Sequence, residues 1–178
     1  CYLVEGYLDV LSLHQLGITN AVASSGTALT KGQIRLIRKF TDNVTIMYDG
    51  DMPGIKAALK GINLLLQEGL RVKVVLIPDG DDPDSYSRKH TLAEVRAFIS
   101  SHEEDFLDFK AGLLSEDAGS DPLKRADMIN EMADTIALIQ DPVTRSVYAQ
   151  NISMRFSLDQ AVIGARINKV RRKMVSGD

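Results

Sequence analysis

Residues 1–90 hold ten acidic side chains, and eight of them fall in three short clusters: Glu5 with Asp9, Asp49 with Asp51, and Asp79, Asp81 and Asp82 with Asp84. A merely solvated surface would spread its carboxylates. Grouped carboxylates repel one another and need a counter-charge. A hard divalent cation such as Mg²⁺ supplies one, because it takes oxygen ligands and commonly binds one or two carboxylates together with waters and phosphates.

The middle cluster reads Tyr48-Asp49-Gly50-Asp51-Met52-Pro53-Gly54. Two aspartates separated by one glycine can aim at a common point, and Pro53 suits the first turn of a helix. The same pattern also describes a plain helix start, with acids favoured by the macrodipole. Glu5-Gly6-Tyr7-Leu8-Asp9 repeats the layout of acid, glycine and helix. Asp9 lies one helical turn beyond Glu5 and is read as a secondary candidate that reaches the site or faces solvent. Pro78-Asp79-Gly80-Asp81-Asp82-Pro83-Asp84 has turn composition, but its position among the other acids favours metal binding. Asp79, Asp82 and Asp84 are the preferred ligands there, and Asp81 is secondary.

Short apolar runs at 1–4, 21–23, 44–48 and 72–77 alternate with helical patterns at 7–16, from Thr30 to Phe40, and from Ala58 to Leu66. Val44-Thr45-Ile46-Met47-Tyr48 is apolar on both faces, as a covered strand requires. Strand and helix alternating over short links predict a parallel sheet flanked by helices. Ligands bind such sheets outside the carboxyl ends of the strands, and all three acidic clusters follow directly on a strand. From Thr91 onward no strand is expected. Capping boxes at Thr91–Glu94, Ser101–Glu104 and Ser157–Gln160, and Asp-Pro starts at 121–122 and 141–142, mark helices instead. Residues 114–121 read as a linker. The expected division is residues 1–102 as an α/β unit and 103–178 as an all-α helical bundle.

Bulk properties narrow the class. The 178 residues are 44% hydrophobic and 25% charged, with net charge −3 and one cysteine, Cys1. The balance is that of a globular cytoplasmic protein. No apolar run spans a membrane, and neither an internal disulfide nor a cysteine zinc site can form. A strand already under way at Cys1 predicts that further sequence precedes it. His14, His90 and His102 lack metal-ligand spacing. Ser24–Thr27 could line the site but reads first as a turn, and the basic residues Lys31, Arg35, Arg38 and Lys39 could touch a template but read first as a solvated helix face. Lys169–Lys173 reads as a cationic helix end.

A glutamate after the first strand, Asp-x-Asp after the third and an acidic loop after the fourth resemble the Toprim domain. Within that group, the strings at residues 5–30, 49–58 and 76–86 resemble bacterial-type DNA primase, and the helical second half resembles the subdomain that follows Toprim in the primase polymerase core. Pro53 departs from the alanine often found there. The resemblance implies a Rossmann-like, mainly parallel sheet. It also implies metal-dependent nucleotidyl transfer: short RNA primers made from ribonucleoside triphosphates on a single-stranded DNA template.

On that resemblance Glu5, Asp49 and Asp51 are catalytic, with Glu5 a ligand or a general base. Glu5, Asp49, Asp51, Asp79, Asp82 and Asp84 hold Mg²⁺ or Mn²⁺, and Asp9 and Asp81 are accessory. It further implies an N-terminal zinc module, a basic polymerase subdomain and a helicase-binding domain, all outside this chain. The isolated chain is accordingly expected to prime weakly or not at all. The rival readings are another Toprim enzyme (a topoisomerase or nuclease), a non-catalytic interaction module, and a phosphatase or response-regulator-like fold with one nucleophilic aspartate.

Overall fold

A computed structural model describes residues 1–78 and 80–177, and side chains throughout these except at residue 117. The described chain divides into two compact units, Cys1–Phe106 and Leu107–Asp178.

The first unit is built on a five-stranded sheet of order β2-β1-β3-β4-β5. Its strands are β1 (Tyr2–Val4), β2 (Ala21–Ala23), β3 (Asn43–Asp49), β4 (Arg71–Ile77) and β5 (Glu104–Asp105). The first four run parallel, with Val4 opposite Ala23, Leu3 opposite Ile46, and Asp49 opposite Ile77. Between them lie α1 (Tyr7–Leu16), α2 (Lys31–Arg38), α3 (Met52–Gln67), α4 (Pro83–Lys89) and α5 (Leu92–His102). The mainly parallel α/β architecture is as expected, and the long β-branched run of β3 is buried from Val44 to Tyr48.

Alternation along each strand sends side chains to two covered faces. Val4, Met47, Val75 and Ile77 join Leu13 of α1 and Val95 and Ile99 of α5 in one cluster. Leu3 and Ile46 point to the other face. There α3 comes so close that a Cβ on Gly61 would lie 3.3 Å from Ile46 Cδ1. The chain leaves β1 toward β2 on one side and leaves β3 toward β4 on the other. The carboxyl ends of these two adjacent strands therefore flank a topological switch point, where open α/β sheets leave a crevice.

Several expectations change. Glu104 and Asp105 form a short antiparallel strand on β4, opposite Val74 and Lys73, so a strand does exist beyond Thr91 and the first unit runs past residue 102. Ser101 lies inside α5 rather than capping a helix, its hydroxyl turned back to the carbonyls of Ala97 and Phe98. The helix after Thr30 stops at Arg38, leaving Phe40 84% exposed.

The second unit carries α6 (Phe106–Ala118) from its second residue onward, α7 (Pro122–Ile136), α8 (Pro142–Phe156) and α9 (Gln160–Ser176). Asp121 and Asp141 cap α7 and α8 as the Asp-Pro pairs predict. Residues 114–118 continue α6 instead of forming a linker, because Ala118 is buried and the Ser115 hydroxyl meets Met128 Sδ at 3.7 Å. Asp159, not Ser157, caps α9; Ser157 ends α8 in the left-handed region, φ 53°. Among the described residues, no helix is long and apolar enough to cross a membrane.

Candidate metal centre

β1 ends at Val4, and the backbone carbonyl of the next residue, Glu5, is held by two amides of the loop after β2. Ser25 N–H donates to it at 3.0 Å and Gly26 N–H at 3.4 Å. Both donors sit at positive φ, 61° and 75°. A side chain at Ser25 makes that conformation costly, and Gly26 takes it freely. The loop whose sequence reads first as a turn thus fixes the end of the first strand.

Asp49 is the last residue of β3, and Asp51 caps α3 by accepting the Gly54 N–H at 2.7 Å. The two glycines of this segment are required by close approach. Gly50 N–H donates to Ile77 O at 2.9 Å, and a Cβ on Gly50 would lie 2.7 Å from that oxygen. A Cβ on Gly54 would overlap the carbonyl of Asp49. Any larger residue at either position displaces one of the two aspartates.

Asp9 is buried, with 8% of its surface exposed. Its Oδ2 accepts from Gly6 N–H and its Oδ1 from Asp84 N–H, both at 3.0 Å. It therefore ties the segment after β1 to the start of α4. Of the two readings of Asp9 the solvent-facing one falls, since the side chain is buried in this cross-link, while its charge still acts on Glu5 and Asp49.

The third cluster divides. Asp82 caps α4, accepting the Ser85 N–H at 2.7 Å. Asp84 accepts from the Ser12 hydroxyl and pairs with Arg88 Nε at 2.9 Å. Asp81 pairs with Lys89 Nζ at 2.6 Å, a hydrogen bond that holds its carboxyl below the usual range. Asp79 lies outside the described residues. Asp81 and Asp84 thus carry their own counter-cations, whereas Glu5, Asp49 and Asp51 make no ion pair with a basic side chain among the described residues.

Electrostatics bring the remaining acids together. Asp49 is raised to about 6, first by burial and then by the charges of Glu5, Asp82, Asp51 and Asp9. Glu5 is raised by loss of hydration at the strand end, then by Asp51 and Asp9. Acids from the first, third and fourth strand ends therefore feel one another across the sheet edge, as the strand order requires. Among the described residues no three His, Cys, Asp or Glu side chains are already arranged around one ion. Glu5 and Asp49 are the groups whose mutual repulsion a cation here would relieve. The donor chemistry fits a hard cation: all-oxygen, acidic, and without histidine. His14 instead meets Ala21 O at 3.3 Å, while His90 stacks on Tyr86 and His102 on Phe98.

Beside Glu5 opens a cleft of about 380 Å³, at the switch point between the carboxyl ends of β1 and β3. Ser24, Thr27, Tyr48, Lys60 and Leu64 line it with Glu5. Burial, and then Glu5, push the Tyr48 hydroxyl up to about 12, with a hydrogen bond to Ser24 opposing them. Sequence reasoning missed Tyr48 as a neighbour of Glu5, although its place at the end of a covered strand, just before Asp49, was the available signal. The two arginines of α2 are engaged elsewhere: Arg35 pairs with Glu68 at 3.2 Å, and Arg38 donates to the Glu68 carbonyl at 2.7 Å.

A carboxylate-edged parallel sheet of this kind places the first unit among Toprim domains. A family model described as Toprim-like matches residues 2–87. The DNA primase of Clostridium acetobutylicum is 37% identical over 164 residues, which is 90% of this chain and 27% of that protein. A DNA primase domain from Pseudomonas aeruginosa superposes with a TM-score of 0.83 at 28% identity, over 96% of this chain and 53% of its own. A DnaG primase catalytic domain solved with single-stranded DNA superposes at 0.79 and 30% identity, over 90% and 52%. The chain belongs to the bacterial DNA primase family and corresponds to its Toprim domain and following helical region. It spans about a quarter of the curated relative and about half of the two solved chains. The topoisomerase or nuclease alternative is not favoured.

A second family model, described as the DnaB-helicase binding domain of primase, matches residues 113–161. The expectation that helicase binding belongs wholly to a domain outside this chain is revised by that match.

Proposed function

We propose that this chain supplies the cation-holding half of a primase active site, used for template-directed synthesis of RNA primers on single-stranded DNA in the cytoplasm. The observation that carries the proposal is the set of mutually repelling carboxylates at one sheet edge, with Asp49 raised to about 6. Glu5, Asp49 and Asp51 would hold Mg²⁺ or Mn²⁺, with Asp82 and Asp79 as further oxygen donors. Asp84 and Asp81, already paired with arginine and lysine, would act from behind. When bound, the cation would acidify the primer 3′-hydroxyl and neutralise charge on the ribonucleotide phosphates. The chain's own part is positional: Gly50 and Gly54 keep the two aspartates at the strand end, and Asp9 keeps the loop before α4 against α1. The switch-point cleft leaves room beside Glu5 for the reacting strand or nucleotide.

Single-stranded DNA as the template is supported by the related catalytic domain solved with it. Ribonucleoside triphosphates and RNA primer follow from the reaction class. Contact with the replicative helicase through residues 113–161 is supported by the family match of that segment. Titration with Mn²⁺ tests the central claim. Asp49→Asn and Asp51→Asn should each weaken binding by about tenfold or more, and unchanged affinity in both would overturn it.

A further inference from the structure

Gln33 does two jobs with one amide. Its Oε1 accepts the Thr30 N–H at 3.0 Å, completing the capping box that starts α2. Its Nε2 donates to the carbonyl of Ser24 at 3.2 Å. The same carbonyl accepts the Thr27 hydroxyl at 3.1 Å. Ser24 is buried, and the two residues after it supply the amides that grip the Glu5 carbonyl. Helix α2, the turn and the acidic strand end are thereby joined in one chain of hydrogen bonds: Gln33 to Ser24, then Ser25 and Gly26 to Glu5.

Without the two side-chain donors, nothing described here holds the Ser24 carbonyl, and Ser25 bears the cost of its left-handed backbone alone. We propose that Gln33, seconded by Thr27, is a positioning residue for Glu5: it locks the 24–27 turn and so sets the backbone from which the Glu5 carboxylate reaches a divalent cation. This rests on the reading of Glu5 as a cation-holding group. A capping-box residue needs only its acceptor, so the Nε2 donation to Ser24 is surplus to starting the helix and is free to serve the site.

Gln33→Glu separates the two jobs. Glutamate at this position caps as well as glutamine, but it cannot donate to Ser24. The added negative charge by itself would raise cation affinity, so a fall cannot come from charge. Mn²⁺ binding by the 178-residue chain, followed by electron paramagnetic resonance, should weaken by about tenfold. The melting temperature measured without metal should stay within about 2 °C. Thr27→Val removes the second donor without touching the α2 cap. It should weaken binding in the same direction, and it decides the matter if Gln33→Glu does not fold. In a Glu5→Gln background neither substitution should weaken binding further. Native affinity in both Gln33→Glu and Thr27→Val, with Glu5→Gln weakened, overturns the positioning role and leaves Glu5 a ligand. Native affinity in Glu5→Gln overturns the reading of Glu5 itself, and the positioning role with it.

Discussion

The carboxylate of Asp9 accepts the backbone N–H of Asp84 across a sequence separation of 75 residues. Its other oxygen holds Gly6, so two loops that each carry candidate ligands are fastened by a side chain that itself faces inward. A buried carboxylate accepting two amides strands both donors when it is removed. Asp9→Ala should therefore cost about 2–3 kcal/mol, seen as a lower urea midpoint at unchanged slope. Stability equal to the native chain would mean that the tie is dispensable and that Asp9 serves the cation alone.

Asp49 gives the metal-free protein a pH signature. Its carboxyl is raised from the ordinary value of 3.8 to about 6 in the fold. Between these values the folded state binds more protons than the unfolded one, so the contribution of Asp49 to stability falls as pH rises. It is fully favourable below about 4 and lost by the time pH has passed 6. Asp49→Asn removes the loss. With metal chelated, the mutant should match the native chain near pH 4 and exceed it by about 1 kcal/mol at pH 7, a figure reduced for solvent screening of a partly exposed group. Saturating Mg²⁺ should reverse the order at pH 7, because only the native carboxylate gains a ligand. Parallel urea curves at the two pH values check both statements, and a mutant less stable than native in chelator at pH 7 would refute them.

How far the sequence carries is clear from particular residues. The β-branched run of β3 and the glycine closing α1 announce their elements locally, and the strand order then brings Glu5 and Asp49 to one edge. Asp9 was not legible. Its apolar neighbours Tyr7, Leu8 and Leu11 are more than half exposed while the aspartate is buried, an inversion of the usual preference. That inversion depends on an amide 75 residues away, which no local pattern contains. Nor could β5 be read, since Glu104 and Asp105 have no strand propensity and pair only because the edge of β4 is there to receive them. The division of the third acidic cluster was hidden for a related reason. Arg88 and Lys89 reach back onto Asp84 and Asp81 only once α4 has formed.

The Asp-Gly-Asp segment makes the sharpest mutational contrast. Gly54 sits in the first turn of α3 with the Asp49 carbonyl where its Cβ would be, so Gly54→Ala must push the helix start away from the strand end. Backbone on both sides of the overlap leaves no flexible side chain to yield. The substitution should destabilise by about 2–4 kcal/mol and weaken Mn²⁺ binding, because it moves Asp49 and Asp51 apart. Gly112, exposed in the middle of α6, has nothing within 4 Å of a built Cβ and an ordinary helical backbone. There the same change removes only the entropic penalty of glycine, so Gly112→Ala should stabilise by about 0.5–1 kcal/mol and leave cation affinity untouched. Thermal melts and Mn²⁺ titrations of the two variants check the pair. A Gly54→Ala protein with native stability and native affinity would show that the strand end and helix start can part without loss, and the cation would then have to be held elsewhere.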